Sequence, residues 1–192
     1  MEPRDARALH ELVDLLDRVG VRYSIGGSVA ASYFGEPRST MDVDLLVELS
    51  RDFIPGLVAA LTPAFYADEA SIREAVSGHR VFQALHLVTY TKFDLFVSGG
   101  TELDIDEMAT RVLQPLGDGT DRTVYVASPE TIVLRKLDWF QRADGTSDRQ
   151  WRDVLGVLKR QGSALAVDRM RALAARVGLS ALLGRALDEA GH

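Results

Sequence analysis

Apolar residues recur at three- and four-residue spacing over 6–19, where Leu9, Leu12, Val13, Leu16 and Val19 line one side of an amphipathic helix that Gly20 ends. The period then shortens. Tyr23 to Ile25 reads as a short strand, Gly26-Gly27-Ser28 as a tight turn into a helix through Phe34, and 41–47 as a second strand. In that strand Met41, Val43, Leu45 and Val47 face one way, and Thr40, Asp42, Asp44 and Leu46 the other. Gly35-Glu36-Pro37 breaks the intervening helix. Residues 51–61 and 68–77 read as further helix. Two β-rich runs, VFQALHLV and KFDLFV, flank a polar turn at Thr89–Thr91 and predict a hairpin. Its second run sets Lys92, Asp94 and Phe96 against Phe93, Leu95 and Val97. A short helix near Asp106–Leu113 and a last strand at 122–127 follow.

Ser128-Pro129-Glu130 is a strong helix start, with serine at the cap, proline in the first turn and an acid beside it. Only helices come after it, over roughly 129–143, 147–161, 166–177 and 179–190. The expectation is an α+β chain, a mixed sheet over 1–127 and a C-terminal helical region over 128–192.

Composition narrows the function classes. The 192 residues are 46% hydrophobic, ample for a core, and contain no cysteine, which removes disulfides, thiolate catalysis and cysteine zinc sites. Four scattered histidines make a poor metal cluster. No run of eighteen apolar residues exists and the first segment is polar, so the expectation is a cytoplasmic protein with no membrane partner. The net charge of −6 argues against broad nucleic-acid binding, but it is unevenly spread: residues 1–148 hold 14 Lys/Arg against 24 Asp/Glu, and 149–192 hold 8 against 4. A solvated helix surface or a surface for a polyanionic substrate both fit that basic tail.

Chemistry concentrates in 23–48. Aspartate is a poor strand former, and Asp42 and Asp44, ~7 Å apart on one strand face, repel unless a cation lies between them. A hard divalent ion, Mg²⁺ with Mn²⁺ as substitute, suits two carboxylates plus phosphate oxygens, and the amides opening the Gly-Gly-Ser helix suit phosphate. Ser28 serves equally as a helix cap. Asp94 is the natural third carboxylate, as metal ligand or as base; the plainer reading pairs it with Lys92. Asp104 and Asp106 form a second pair but lack a glycine turn and read as an acidic helix start. Lys136 projects from a helix face otherwise made by Ile132, Val133, Trp139, Phe140 and Ala143, so it reaches solvent or an anion, a triphosphate among the candidates. Arg149 and Asp153 sit one turn apart as a weak surface pair. Arg38 and Thr40 are placed to touch phosphate or metal-bound water. Trp139 and Trp151 read as packing residues, and no partner is evident for His79 or His86.

The order Gly26-Gly27-Ser28, Arg38-x-Thr40-x-Asp42-x-Asp44, then Asp94, resembles the nucleotidyltransferase superfamily of the DNA polymerase β type. With Ser128-Pro129-Glu130, Lys136 and the Arg149–Asp153 helix it resembles the AbiEii-like branch, which includes toxins of toxin–antitoxin systems. The resemblance implies a nucleotidyltransferase fold, a mixed β-sheet flanked by helices with a C-terminal helical bundle. It also implies transfer of a nucleoside monophosphate from an NTP to an acceptor hydroxyl, with Asp42 and Asp44 on Mg²⁺, Asp94 as third ligand or base, Gly26, Gly27 and Ser28 on the phosphates, and Lys136 neutralising the triphosphate. In the toxin branch the acceptor is a tRNA 3′ end and the partner an antitoxin. Two other readings compete: a catalytically silent nucleotide-binding or antitoxin-interaction module, and a DxD glycosyltransferase, which the short strand–GGS–helix–strand unit fits poorly. A dinucleotide-binding fold fails for want of G-x-G-x-x-G.

Overall fold

The computed structural model describes residues 3–40, 42–116 and 122–192. Met41, expected at the head of the second strand, lies outside them, as do five residues of the Gly- and Asp-rich stretch. The described elements run α1 (Pro3–Val19), β1 (Arg22–Ile25), α2 (Gly27–Phe34), β2 (Asp42–Glu48), α3 (Ile54–Leu61), β3 (Phe65–Tyr66), α4 (Glu69–Gly78), β4 (Val81–His86), β5 (Lys92–Val97), α5 (Glu102–Thr110), β6 (Val112–Pro115), β7 (Thr123–Val126), α6 (Pro129–Arg142), α7 (Asp148–Gln161), α8 (Val167–Val177) and α9 (Ser180–Ala190). Single 3₁₀ turns precede α3 and follow α7.

The described residues form two units. The first draws on Met1–Ile25, Ser39–Gly99 and Arg111–Val126, the second on Gly26–Arg38, Gly100–Thr110 and Ala127–His192. The chain therefore leaves the first unit at the Gly-Gly-Ser turn and returns to it just after Arg38.

The first unit holds a seven-stranded mixed sheet in the order β3-β4-β5-β2-β1-β7-β6. β2 and β5 are parallel, as are β1 and β7, and the other neighbours are antiparallel. Val43, Leu45 and Val47 of β2 and Phe93, Leu95 and Val97 of β5 are all buried. A one-residue slip would turn these six side chains to the other face, so the alternation pins the register. Phe93 is fully buried and on its own contributes about 2–3 kcal/mol to that choice. α1 packs on β1 and α3, and α4 on β4 and β5.

Three local expectations change. The hairpin run 81–88 stops at His86, because the His86 imidazole bonds Thr89 Oγ1 (2.8 Å) and closes a turn in which Tyr90 takes a left-handed φ of 59°. Leu87 and Val88 are consequently exposed. The helix near 106–113 begins earlier and ends at Thr110: Thr101 Oγ1 accepts from the Asp104 amide (3.2 Å) while the Asp104 carboxylate accepts from the Thr101 amide (3.1 Å), a reciprocal cap. Val112–Pro115 then pairs with β7. His79 and His86 both have partners, the Ser98 carbonyl (2.8 Å) and the Thr89–Glu11 pair.

The second unit is helical. Ser128 caps α6, its Oγ accepting from the Thr131 amide, as the Ser-Pro-Glu start predicts. α6 packs on α7 and α2, with α5, α8 and α9 around them. Ile132, Val133, Leu137 and Phe140 make the buried side of α6, whereas Trp139 is half exposed and stands off it. Trp151 is buried against Phe140, its Nε1–H donating to Glu189 (3.0 Å).

Candidate functional site

The carboxylates lie in the first unit. In the parallel β2–β5 ladder Asp42 is the register partner of Lys92, and Asp44 of Asp94. Neighbouring strands are ~4.8 Å apart, so three carboxylates and one ammonium share a patch two strands wide. Lys92 Nζ lies 3.5 Å from Asp42 Oδ1 and 3.3 Å from Asp94 Oδ2. Gln83, the register partner of Asp94 on β4, donates from Nε2 to the other Asp94 oxygen at 3.0 Å. Asp94 thus does pair with Lys92, and Asp42 shares the same ammonium. Burial pulls the Lys92 pKa down, but Asp94 and then Asp42 outweigh it and hold it above its ordinary value. Thr40 folds back on its own strand, its hydroxyl donating to the Asp42 carbonyl (3.1 Å).

Among the described residues no three His, Cys, Asp or Glu side chains are already disposed to hold a metal ion. The donor set nevertheless suits one. Its oxygens are hard carboxylate donors, its four side chains sum to −2, and a cation already sits between two of the acids. Lys92 occupies charge that a divalent ion would otherwise meet. Lys92→Met is therefore expected to tighten Mn²⁺ binding about tenfold without nucleotide, by titration calorimetry. Unchanged affinity would mean that the ammonium does not compete.

The phosphate-type residues lie in the second unit. Gly26 caps α2 and Gly27 opens it at a φ of +56°, where a side chain would cost about 1–2 kcal/mol. The first amides of a helix have no partner within it. At its other end α2 crosses α7 at backbone distance: a Cβ on Gly35 would come 2.8 Å from the Val157 nitrogen and 2.9 Å from the Gly156 carbonyl carbon. Arg160 Nη1 and Gln161 Nε2 donate to the Gly35 and Phe34 carbonyls (2.9 and 2.7 Å) and finish α2.

That crossing sets Arg38, three residues beyond Gly35, opposite Asp153, three before Gly156. Arg38 grips Asp153 with both ends of its fork, Nε to Oδ1 at 2.9 Å and Nη2 to Oδ2 at 3.0 Å, and Nη2 also donates to Ser28 Oγ. Lys136 Nζ reaches Asp153 Oδ2 at 2.8 Å, the two side chains only 5% and 8% exposed. Burial pushes Asp153 up, but hydrogen bonds from Arg38 and Lys136 and their charges hold its carboxyl below the usual range. The anion reached by Lys136 is thus Asp153, two links from Ser28. Asp153 is not the partner of a surface pair with Arg149, which is exposed on the same helix. Two cations thus converge on one carboxylate.

Other side chains in these clusters were not singled out from the sequence. Gln83 follows from Asp94 once the hairpin register is known, but the turn that sets that register was misplaced. Arg135, adjacent to Lys136, is marked in the sequence only as a second cation on a helix with a wide apolar side. It binds Asp104 (2.6 Å) and Glu107 (2.8 Å), the latter 3.6 Å from where a Gly26 Cβ would stand. Burial pushes Asp104 up, yet Arg135 and Thr101 hold it below its ordinary pKa. Asp106 is taken by Arg169 (2.5 Å) and Thr131 (2.6 Å). The second aspartate pair is therefore a set of ion pairs within the helical unit.

Residues 25–189 match the family described as nucleotidyl transferase AbiEii toxin, type IV TA system. No curated protein matches the chain. Among solved structures it is similar to the antibiotic-resistance factor ANT(2″)-Ia, at 18% identity and a TM-score of 0.53 over 96% of this chain and 98% of that one. It is also similar to an antigenic nucleotidyltransferase-like protein from Paracoccidioides brasiliensis, at 19% identity and a TM-score of 0.56 over 96% and 94%. Those likenesses are of fold, the nucleotidyltransferase fold. With the match spanning most of its length, the chain belongs to the AbiEii family of nucleotidyltransferase toxins and is a nucleotidyltransferase.

Proposed function

We propose that the protein transfers a nucleoside monophosphate from an NTP to an acceptor hydroxyl on RNA, in a Mg²⁺-dependent reaction, as the toxin of a toxin–antitoxin pair. The observation that carries this reading is the parallel register that sets Asp44 beside Asp94, with Asp42 next to them, in a patch of charge −2. Asp42 and Asp44 would hold the metal, which supplies charge neutralisation of the triphosphate and activation of its α-phosphorus. Gly26, Gly27 and Ser28 would offer amides and a hydroxyl to phosphate oxygens, with Arg38 bonded to Ser28 Oγ and Lys136 joined to it through Asp153. Asp94, oriented by Gln83, takes the acceptor proton as the acceptor oxygen bonds to the α-phosphorus. The bond from the α-phosphorus to the bridging oxygen breaks, and pyrophosphate leaves with that electron pair. Thr40 closes the start of β2 through its hydrogen bond to the Asp42 carbonyl.

The family supports a toxin, and hence a cognate antitoxin protein as partner. A reaction that consumes NTP favours the cytoplasm, and no helix among the described residues is long and apolar enough to cross a membrane. The test is direct. Purified protein with Mg²⁺, each α-labelled NTP in turn and total bacterial RNA is expected to move label into RNA and release pyrophosphate; expression is expected to arrest growth, and Asp44→Ala to relieve the arrest. Label appearing only in protein or in aminoglycosides would reject RNA as acceptor.

A further inference from the structure

The Asp94 carboxylate has a donor on each oxygen, Gln83 Nε2 on Oδ1 at 3.0 Å and Lys92 Nζ on Oδ2 at 3.3 Å. The same ammonium stands 3.5 Å from Asp42 Oδ1. Strand register puts it there. Lys92 is the partner of Asp42 across the parallel β2–β5 pair, and Lys92 and Asp94 are successive residues on one face of β5. The lysine therefore lies between two acids on two strands, the acid proposed to hold the metal and the acid proposed to take the acceptor proton.

Phosphoryl-transfer sites with two divalent ions set them about 3.5–4 Å apart, one serving the leaving oxygen and one the attacking oxygen. A single carboxylate is wide enough to touch both. Asp42 is shared in that sense, because it belongs to the proposed metal pair with Asp44 and already carries the ammonium on Oδ1. The ammonium also touches Asp94, on the side of the attacking oxygen. A second divalent ion on Asp94 would have to share Oδ2 with that ammonium or take Oδ1 from Gln83, and two cations on one oxygen repel each other. A lysine ammonium is a compact point charge with three N–H donors, enough for both acids and one further oxygen.

We propose that Lys92 stands where a second divalent ion would otherwise act, so that transfer runs on a single ion held by Asp42 and Asp44. The inference rests on the transfer reaction proposed above. Within that reaction Lys92 and Gln83 hold Asp94 in place, the acceptor proton passes to Asp94, and the third N–H of the ammonium meets the negative charge that gathers on the attacking oxygen. The test counts Mn²⁺ bound per protein by electron paramagnetic resonance, with the α,β-methylene analogue of each NTP in turn and no acceptor, beside the Mn²⁺ dependence of turnover. Wild type is expected to take one ion per nucleotide complex and to give a hyperbolic activation curve. Lys92→Ala is expected to take two, with turnover down about 10²-fold at low Mn²⁺ and recovered along a sigmoidal curve as Mn²⁺ rises. Lys92→Arg keeps the charge and is expected to stay at one ion. A wild-type count other than one overturns the proposal, and so does a count that stays at one in folded Lys92→Ala. The wild-type count decides by itself if Lys92→Ala does not fold. If label moves into RNA while wild type binds two ions, the proposal falls and the transfer reaction stands. If no acceptor takes label yet the count rises from one to two in Lys92→Ala, the transfer reaction falls and the assignment of Lys92 stands.

Discussion

Asp44→Asn is expected to lower nucleotidyl transfer by about 10³-fold or more and to leave the fold intact. The substitution keeps the shape of the side chain and removes one of three negative charges from the patch on which the proposed metal site rests. A thousandfold loss corresponds to about 4 kcal/mol of transition-state stabilisation, within reach of a misheld metal. Stability should not fall with it. Val43 and Leu45 on either side of Asp44 remain buried and keep β2 in register, while relief of repulsion among the acids acts in the favourable direction. The check is turnover with labelled NTP beside a melting curve and a Mn²⁺ titration. Undiminished turnover would remove Asp44 from the mechanism, and an unfolded variant would show that the acids are structural.

Asp153→Ala is expected to give the second large effect, on stability first. It leaves Lys136 and Arg38 without the carboxylate they converge on, and the Lys136 ammonium is almost wholly enclosed. Removing one member of such a group costs about 3–5 kcal/mol, a fall of roughly 10 °C in Tm for a chain of this size. Asp153→Leu combined with Lys136→Met is expected to recover most of that stability and none of the activity, separating the cluster's part in folding from its proposed part at phosphate. The ion pairs also predict a pH dependence. The folded Asp153 carboxyl titrates below its unfolded value near 3.8, so its contribution is complete above that value and is lost as pH falls through the folded pKa. Wild type should therefore lose more stability than the Leu/Met double variant on acidification below about pH 4, as denaturant titrations would show.

The sequence made local patterns legible and left their pairings unread. The alternation in 42–47 and 92–97 shows which side chains share a strand face, but that β2 lies parallel to β5, with Asp44 beside Asp94, depends on a partner fifty residues away. Lys136 declared itself as a cation out of place on an apolar helix side. Its partner Asp153 was visible only as the neighbour of Arg149, since Arg38 comes to it from 115 residues away through a glycine contact no periodicity reveals. β3, two residues long, carries no alternation, so nothing local marks it as a strand. The four C-terminal helices stand within a residue or two of their expected ends, because caps and amphipathic spacing are local.

The interleaving of the two units has a consequence for biosynthesis. Every strand of the sheet has been translated once Val126 emerges from the ribosome, so the acidic patch can assemble on the nascent chain. α2, made a hundred residues before its partners, must wait for α6 and α7 before Arg38 meets Asp153. The helical unit is thus completed only late in the protein's synthesis.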